Sequence, residues 1–361
     1  MTKIYTAELV GKKESVVDEF LLMNEHQTPL LNLLGFGEAV YNVKHEWVED
    51  EMFADESTVS GAKLAEDTAI TVADAEPFRV GHVVKVGEEL MLVTSVVGND
   101  LTVSRGYAST TAADIADGAV IEVMFLEGHE GADARDARYK PRSRKENLTQ
   151  IFDESVEISG TAQAIAQYGV DSEYDKERMK KQIELALHLE KALINGLGFE
   201  SGNVRQMRGV RSFINTNVVD GSGASITDAK INDAFQAIYE KGGFDTGANY
   251  KILVPAKQKR VISDFQKSDI RLTRQDNGRG QVVDHFVSDF GEAEIVLNNN
   301  LKSDELMIVD VNRMQIRPLN TREFAHTYMG IQGDYMKGQI VGEYTLEFKQ
   351  EKAHARITNL D

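Results

Sequence analysis

The residues that could do chemistry are few. His129-Glu130 stands just ahead of Asp133 and Asp136. An imidazole beside carboxylates can hold a hard cation or take a proton from water during hydrolysis. Such a metal site needs a further nitrogen ligand at regular spacing, and no second histidine is placed to supply it, so the segment reads as an exposed charged loop. His188 is another candidate base, but it falls in a helical pattern beside Lys191 and reads as a helix-surface residue. Gly278-Arg279-Gly280 and Gly330-Ile331-Gln332-Gly333 come nearest to a phosphate cradle. Neither lies between a strand and a helix with a lysine following, as a phosphate loop requires. No G-x-G-x-x-G, H-E-x-x-H, G-x-S-x-G or EF-hand pattern occurs. With 0 cysteines, thiolate zinc sites, iron–sulfur clusters, disulfides and Cys nucleophiles are excluded together. No catalytic, cofactor-binding or metal-ligating set is assigned. Catalytic groups distant in sequence can still converge in space, so this lowers the expectation of an enzyme without abolishing it.

Composition points the same way. The 361 residues are 42% hydrophobic and 27% charged, enough for one large core or two to three smaller ones. Their 40 Lys+Arg against 58 Asp+Glu give a net charge of −18, which disfavours holding DNA, RNA or anionic lipid by neutralising phosphates. No window approaches the ~20 apolar residues that cross a bilayer. Glu8, Lys12, Lys13, Glu14, Asp18 and Glu19 punctuate the start, so a soluble protein without a signal peptide is expected.

The elements alternate in character along the chain. Residues 1–40 read as an arm: a short helix lined by Val16, Val17, Phe20, Leu21 and Met23, then an apolar plug of Leu30, Leu31, Leu33 and Leu34. Tyr41–Val48 has strand alternation, with Val43, His45 and Trp47 on one face. The lone Trp47 reads as core or interface packing. Runs at Ala69–Val72, Val83–Val86, Leu90–Val97, Leu101–Ser104 and Val120–Phe125 suggest a small all-β module over 61–125. Gly98-Asn99-Asp100 supplies its hairpin turn. Ser172 opens the clearest helix, running to about Leu197, with Met179, Ile183, Ala186, Leu187, Leu193 and Leu197 as its apolar stripe. At 1.5 Å per residue it spans roughly 39 Å, a structural spine. From Val204 to Pro318 helix and strand signals alternate. Near the C-terminus Tyr344, Leu346 and Phe348 face one way and Glu343, Thr345 and Glu347 the other, which predicts a strand with one wet face.

Arg135, Arg138, Lys140, Arg142, Arg144 and Lys145 put six basic residues in eleven, against the one acid Asp136. A solvated loop is one reading. In so acidic a chain, contact with acidic surface on another copy is the other.

Three stretches resemble a known family. They are Thr28-Pro29-Leu30-Leu31-Asn32-Leu33-Leu34-Gly35, His45-Glu46-Trp47-Val48-Glu49-Asp50, and Ile158-Ser159-Gly160-Thr161-Ala162-Gln163-Ala164-Ile165-Ala166-Gln167-Tyr168-Gly169 running into the spine helix. They resemble the major capsid proteins of tailed bacteriophages, in the SU10-like family. The resemblance covers most of 1–205 and is weaker beyond. It implies an α+β fold of the Hong Kong 97 (HK97-like) capsid type: an N-terminal arm (1–40), an extended loop (41–60 and 126–158), a peripheral domain with the spine helix (159–205 and 318–361) and an axial domain (206–317). The β module at 61–125 is then an insertion into the extended loop, expected on the outer face of a shell.

The resemblance further implies self-assembly into pentamers and hexamers of an icosahedral shell around double-stranded DNA, in a host bacterial cytoplasm and without sequence-specific binding or a membrane. Portal, scaffolding and decoration proteins are the implied partners, and no cofactor is implied. About 40 residues precede the first strand, so a separate scaffold or unaided assembly is expected. Candidate inter-subunit contacts are Trp47, Arg135, Arg138, Lys140, Arg142, Arg144 and Lys145. Two other readings remain: an encapsulin-like shell around a cargo enzyme, and a soluble hydrolase or carbohydrate-binding protein using the 61–125 module with His129, Glu130 and Asp133 near its base.

Overall fold

Proline at the first helical position and the leucines after it form α1 (Pro29–Leu34), since a missing amide costs nothing there. This is the start of the computed structural model's described residues, which are 28–131, 133–165, 172–245, 247–264, 285–331 and 333–361. The helix expected around Val16–Met23, the cluster at Gly278–Gly280 and residues 166–169 of the third family stretch lie outside them. Strand β1 (Lys44–Glu49) follows, with His45 and Trp47 turned inward and Lys44, Glu46 and Val48 outward. The chain divides into two compact units, Val48–Ser143 and the remainder.

The Val48–Ser143 unit contains β2 (Glu56–Thr58), β3 (Ala69–Thr71), β4 (His82–Val86), β5 (Glu89–Val97), β6 (Asp100–Ser104) and β7 (Val120–Leu126). They pair in the order β2-β7-β4-β5-β6-β3. An antiparallel bridge between Val59 and Val72 joins the two outer strands, so the sheet closes into a small barrel around Ile70, Val84, Met91, Leu101 and Ile121. Gly98 turns β5 into β6 at φ 59°, with Val97 opposite Asp100; a side chain disfavours that left-handed conformation. Glu89 fixes the long loop after β6. It accepts from Arg105 Nε (2.7 Å) and Nη2 (2.8 Å) and from the amides of Gly106 (3.0 Å) and Ala113 (3.1 Å). Burial works to raise this carboxyl's pKa, but Arg105 and the two amides outweigh it and hold it below the usual range.

The other unit begins again at β8 (Ser143–Leu148), which pairs with β1 as a two-stranded ribbon. Next come β9 (Gln150–Ser159), α2 (Gly160–Ala164) and the spine α3 (Glu173–Asn195). Ser172 caps α3, its Oγ accepting from the Asp175 amide at 3.3 Å. The helix stops two residues before the expected Leu197. A side chain at Gly196 would collide with the carbonyls of Met207 and Ala192, and the chain turns there into the hairpin β10 (Leu197–Ser201) and β11 (Val204–Arg208). The buried stripe overlaps the expected one only in part: Leu187 and Leu193 are buried as expected, Leu185 and Leu189 are fully inside as well, and Met179 and Leu197 are exposed.

The remaining elements are α4 (Val210–Phe213), β12 (Val218–Ala224), α5 (Asp228–Glu240), β13 (Tyr250–Val254), α6 (Ala256–Ser263), β14 (His285–Val287), β15 (Glu292–Leu297), β16 (Leu306–Asp310), β17 (Met314–Pro318), β18 (Ala325–Ile331), β19 (Tyr335–Phe348) and β20 (Ala355–Leu360). A six-stranded mixed sheet, β12-β20-β16-β13-β15-β14, packs against Ile231, Phe235 and Ile238 of α5. The long β19 organises a second sheet. It pairs with β9 on one side and with β18 and β17 on the other. Leu185, Leu189 and Leu193 of α3 share a core with Leu346 and Phe348 of β19. Among the described residues no helix is long and apolar enough to cross a membrane.

Candidate functional site

Two buried carboxylates lie where the ribbon meets β19. The strand expected to have one wet face has none there: Glu343 is 2% and Glu347 3% exposed, and Thr345 is fully buried. Residues distant in sequence cover them. Glu343 accepts from Thr149 Oγ1 (2.6 Å) and Arg205 Nη2 (3.0 Å) and pairs with Arg322 Nε (2.9 Å). Glu347 lies 2.9 Å from His45 Nε2 and 2.6 Å from Lys349 Nζ, and also pairs with Arg317. An ionised carboxylate only accepts, so His45 Nε2 carries the proton. Burial would raise the Glu347 pKa, but the hydrogen bonds from His45 and Lys349 and the charge of Arg317 bring it down to about 2. Asn147 of β8 completes the seam, donating to Leu346 O (2.8 Å) and Arg208 O (3.0 Å) and accepting from the Arg208 amide (2.8 Å). The ribbon's root is thus fixed by charge and hydrogen bonds.

A third buried carboxylate fastens α1. Glu190 of the spine helix accepts from the amides of Leu30 (3.0 Å) and Leu31 (2.7 Å) and from Asn298 Nδ2 (2.7 Å). Burial pushes this carboxyl's pKa up, against those three donors. Periodicity alone placed the Glu343 and Glu347 face in water. It offered no local signal of the arginines and amides that neutralise these carboxylates.

The expected contact residues occupy two environments. Trp47 is 7% exposed, its ring 6.1 Å from that of Phe213 inside the core. The basic residues lie on the segment returning from the barrel. Arg135 donates to Glu127 O. Arg138 donates to Pro77 O at 2.7 Å and stacks 3.7 Å above the Phe53 ring. Lys140 reaches Met52 O at 3.1 Å, with Glu51 and Glu76 at 3.9 and 3.8 Å. Arg142 pairs with Asp50 at 3.1 Å and Arg144 with Glu46 at 3.5 Å, while Lys145 is exposed. Residues 50–53 and 138–142 line an open cleft of about 560 Å³ in the barrel unit. His129, Glu130, Asp133 and Asp136 are all exposed. Among the described residues no group of three or more His, Asp or Glu side chains is arranged to hold a metal. His188 lies on the exposed side of α3.

This arrangement is built for holding elements together, and comparison with known proteins agrees. The family described as SU10 major capsid protein matches residues 3–361. The chain belongs to that family. The SU10-family chain is 31% identical over 214 residues to the major capsid protein of Escherichia phage Phieco32, a match covering 53% of this chain and 59% of that relative. It therefore spans about three-fifths of the length of the curated relative it matches. Its fold superposes on the cyanophage A-1(L) capsid asymmetric unit with a TM-score of 0.56 at 11% identity, over 98% of both chains. With a structure from Gordonia phage Cozz the TM-score is 0.55 at 10% identity, over 97% of this chain and 92% of that one. At such identities the likeness establishes the fold, which is the α+β Hong Kong 97 type.

Proposed function

We propose that the chain is the major capsid subunit of a tailed bacteriophage, assembling with itself through hexamers and pentamers into an icosahedral shell around double-stranded DNA. The observation that carries this reading is the family match from residue 3 to residue 361. In the shell the β1–β8 ribbon is the extended loop. The peripheral domain (159–205 and 318–361) carries α3, β18 and β19, and the axial domain (206–317) carries α5 and the six-stranded sheet apart from its strand β20. Assembly takes place in the host cytoplasm with portal, scaffolding and decoration proteins. A charge of −18 per subunit suits a wall that must contain DNA without adhering to it.

The subunits repel one another at long range, although screening beyond about 8 Å leaves local complementarity to decide each contact. Arg142 and Arg144 are suited to such contacts. Their pairs with Asp50 and Glu46 are exposed, and exposed pairs are worth at most about 1 kcal/mol, so carboxylates on a neighbouring copy can replace them at little cost. Arg135, Arg138, Lys140 and Lys145 extend the same basic surface.

Negative-stain microscopy and sedimentation of the purified chain, with and without co-expressed phage assembly proteins, test the reading. Closed shells are expected; a permanently monomeric species near 40 kDa under every condition refutes it. Shells formed by Arg142→Glu/Arg144→Glu at unchanged yield and salt dependence would remove the basic surface from the contact.

A further inference from the structure

At one turn of the barrel unit the side chains of Arg79, Arg135 and Arg138 come together around His82. Arg79 and His82 flank the turn into β4, where the His82 amide donates to Arg79 O at 3.1 Å. His82 stands opposite Leu126 at the end of β7, and the chain leaving β7 brings Arg135 and Arg138 back to this turn. Arg135 Nη2, held by Glu127 O, lies 3.8 Å from where a side chain on Gly81 would begin. Arg138 is held by Pro77 O and the Phe53 ring. Backbone carbonyls and an aromatic face therefore position these guanidinium groups. Among the described residues none of the four side chains is ion-paired.

Polar atoms inside the cluster lack partners. His82 is 7% exposed, and its Nδ1 is buried without a hydrogen bond, as is Arg79 Nε. Buried donors are normally satisfied, and one left unpaired is costly. Burial, then the charges of Arg138, Arg79 and Arg135, hold the His82 pKa down to about 4. Two carboxylates border the cluster: Glu76, 3.8 Å from Lys140, and Glu127, engaged by Tyr107 at 3.1 Å and by His129 at 3.9 Å.

We propose that Arg79, His82, Arg135 and Arg138 form a binding site for a tetrahedral oxyanion, a phosphate or sulfate group. Guanidinium groups bind oxyanions through strong charge-assisted hydrogen bonds. Donors arriving from the turn before β4 and from the segment after β7 suit a ligand with acceptors in several directions better than a planar carboxylate. The ligand supplies the missing counter-charge and a partner for the orphaned atoms. The site lies wholly within the barrel unit, so it stands whether or not the chain assembles as proposed above.

Isothermal titration of the full chain with sodium phosphate and sodium sulfate, against sodium chloride at equal ionic strength, tests the site. Saturable binding of phosphate or sulfate, absent with chloride, is expected. Removing one charged donor in Arg138→Gln should weaken it roughly tenfold or more. Arg135→Gln, on an exposed segment, should weaken it too without threatening the fold. Sulfate, which stays doubly charged, should bind more tightly as the pH falls toward the His82 pKa of about 4, because a bound anion favours protonated His82. Heparin, which carries sulfate on a polymer, separates the sources: tighter binding than free sulfate assigns a polymer-borne group, and weaker binding assigns the free ion. If neither phosphate, sulfate nor heparin binds saturably, or if both arginine variants bind as the parent does, the site is refuted.

Discussion

Protonating Glu347 should loosen the root of the ribbon, and the size of the effect follows from its surroundings. The carboxylate is almost fully buried among His45, Lys349 and Arg317, which together lower its pKa from 4.5 to about 2. A group with a depressed native pKa stabilises the fold fully above its unfolded pKa, and that contribution is lost as pH falls through the native one. The loss therefore runs from roughly pH 4.5 to roughly pH 2. A difference of about 2.5 units at ~1.36 kcal/mol per unit amounts to about 3 kcal/mol. Glu347→Gln removes the charge but keeps the shape. Urea unfolding of unassembled parent and variant, at several pH values from neutrality to about 2.5, measures the gap. It should be about 3 kcal/mol near neutrality and shrink steadily below about pH 4.5. A gap that stays constant across this range would refute the reasoning, because the carboxylate's charge would then contribute nothing to the seam.

Other changes act through equally local causes. Arg105→Met strands the buried Glu89 carboxylate and should cost about 3–5 kcal/mol in the barrel's unfolding free energy, read by chemical denaturation. Glu190→Ala leaves the amides of Leu30 and Leu31 without acceptors, at about 1–3 kcal/mol each, and should speed amide exchange at those two positions before the rest of the unit. Gly98→Val forces a β-branched residue into a left-handed turn, costing about 1–2 kcal/mol; Gly98→Asn should cost clearly less in the same melting experiment. Gly338→Ala drives a methyl group into the Tyr174 hydroxyl, breaking its 2.8 Å bond to His326. It should lower the melting temperature, whereas Tyr174→Phe in the same background should partly restore it.

What could be read from the sequence was what neighbouring residues determine. Five of the barrel's strands are runs of Val, Leu and Ile between turn residues, and the start of α3 is written in Ser172. The short β2 escaped because Glu56-Ser57-Thr58 has no apolar periodicity. The end of α3 escaped because the obstacle at Gly196 comes from β11. Glu343 and Glu347 looked wet because alternation reports only that a face is polar. Their burial depends on His45, Thr149 and Arg205, each more than 130 residues away in sequence. For the basic segment the charges were legible, but their folding back onto Glu46, Asp50 and Met52 depends on strand pairing across the whole inserted unit.

The bridge between Val59 and Val72 has a colloidal consequence. A sheet that closes on itself leaves no long row of free amides and carbonyls, so it gives a neighbour no template on which to add a strand. An open six-stranded sheet at the density of a crowded lattice would invite misregistered pairing and precipitation. Being closed, this unit can be carried at high local concentration and still meet its surroundings only through side chains.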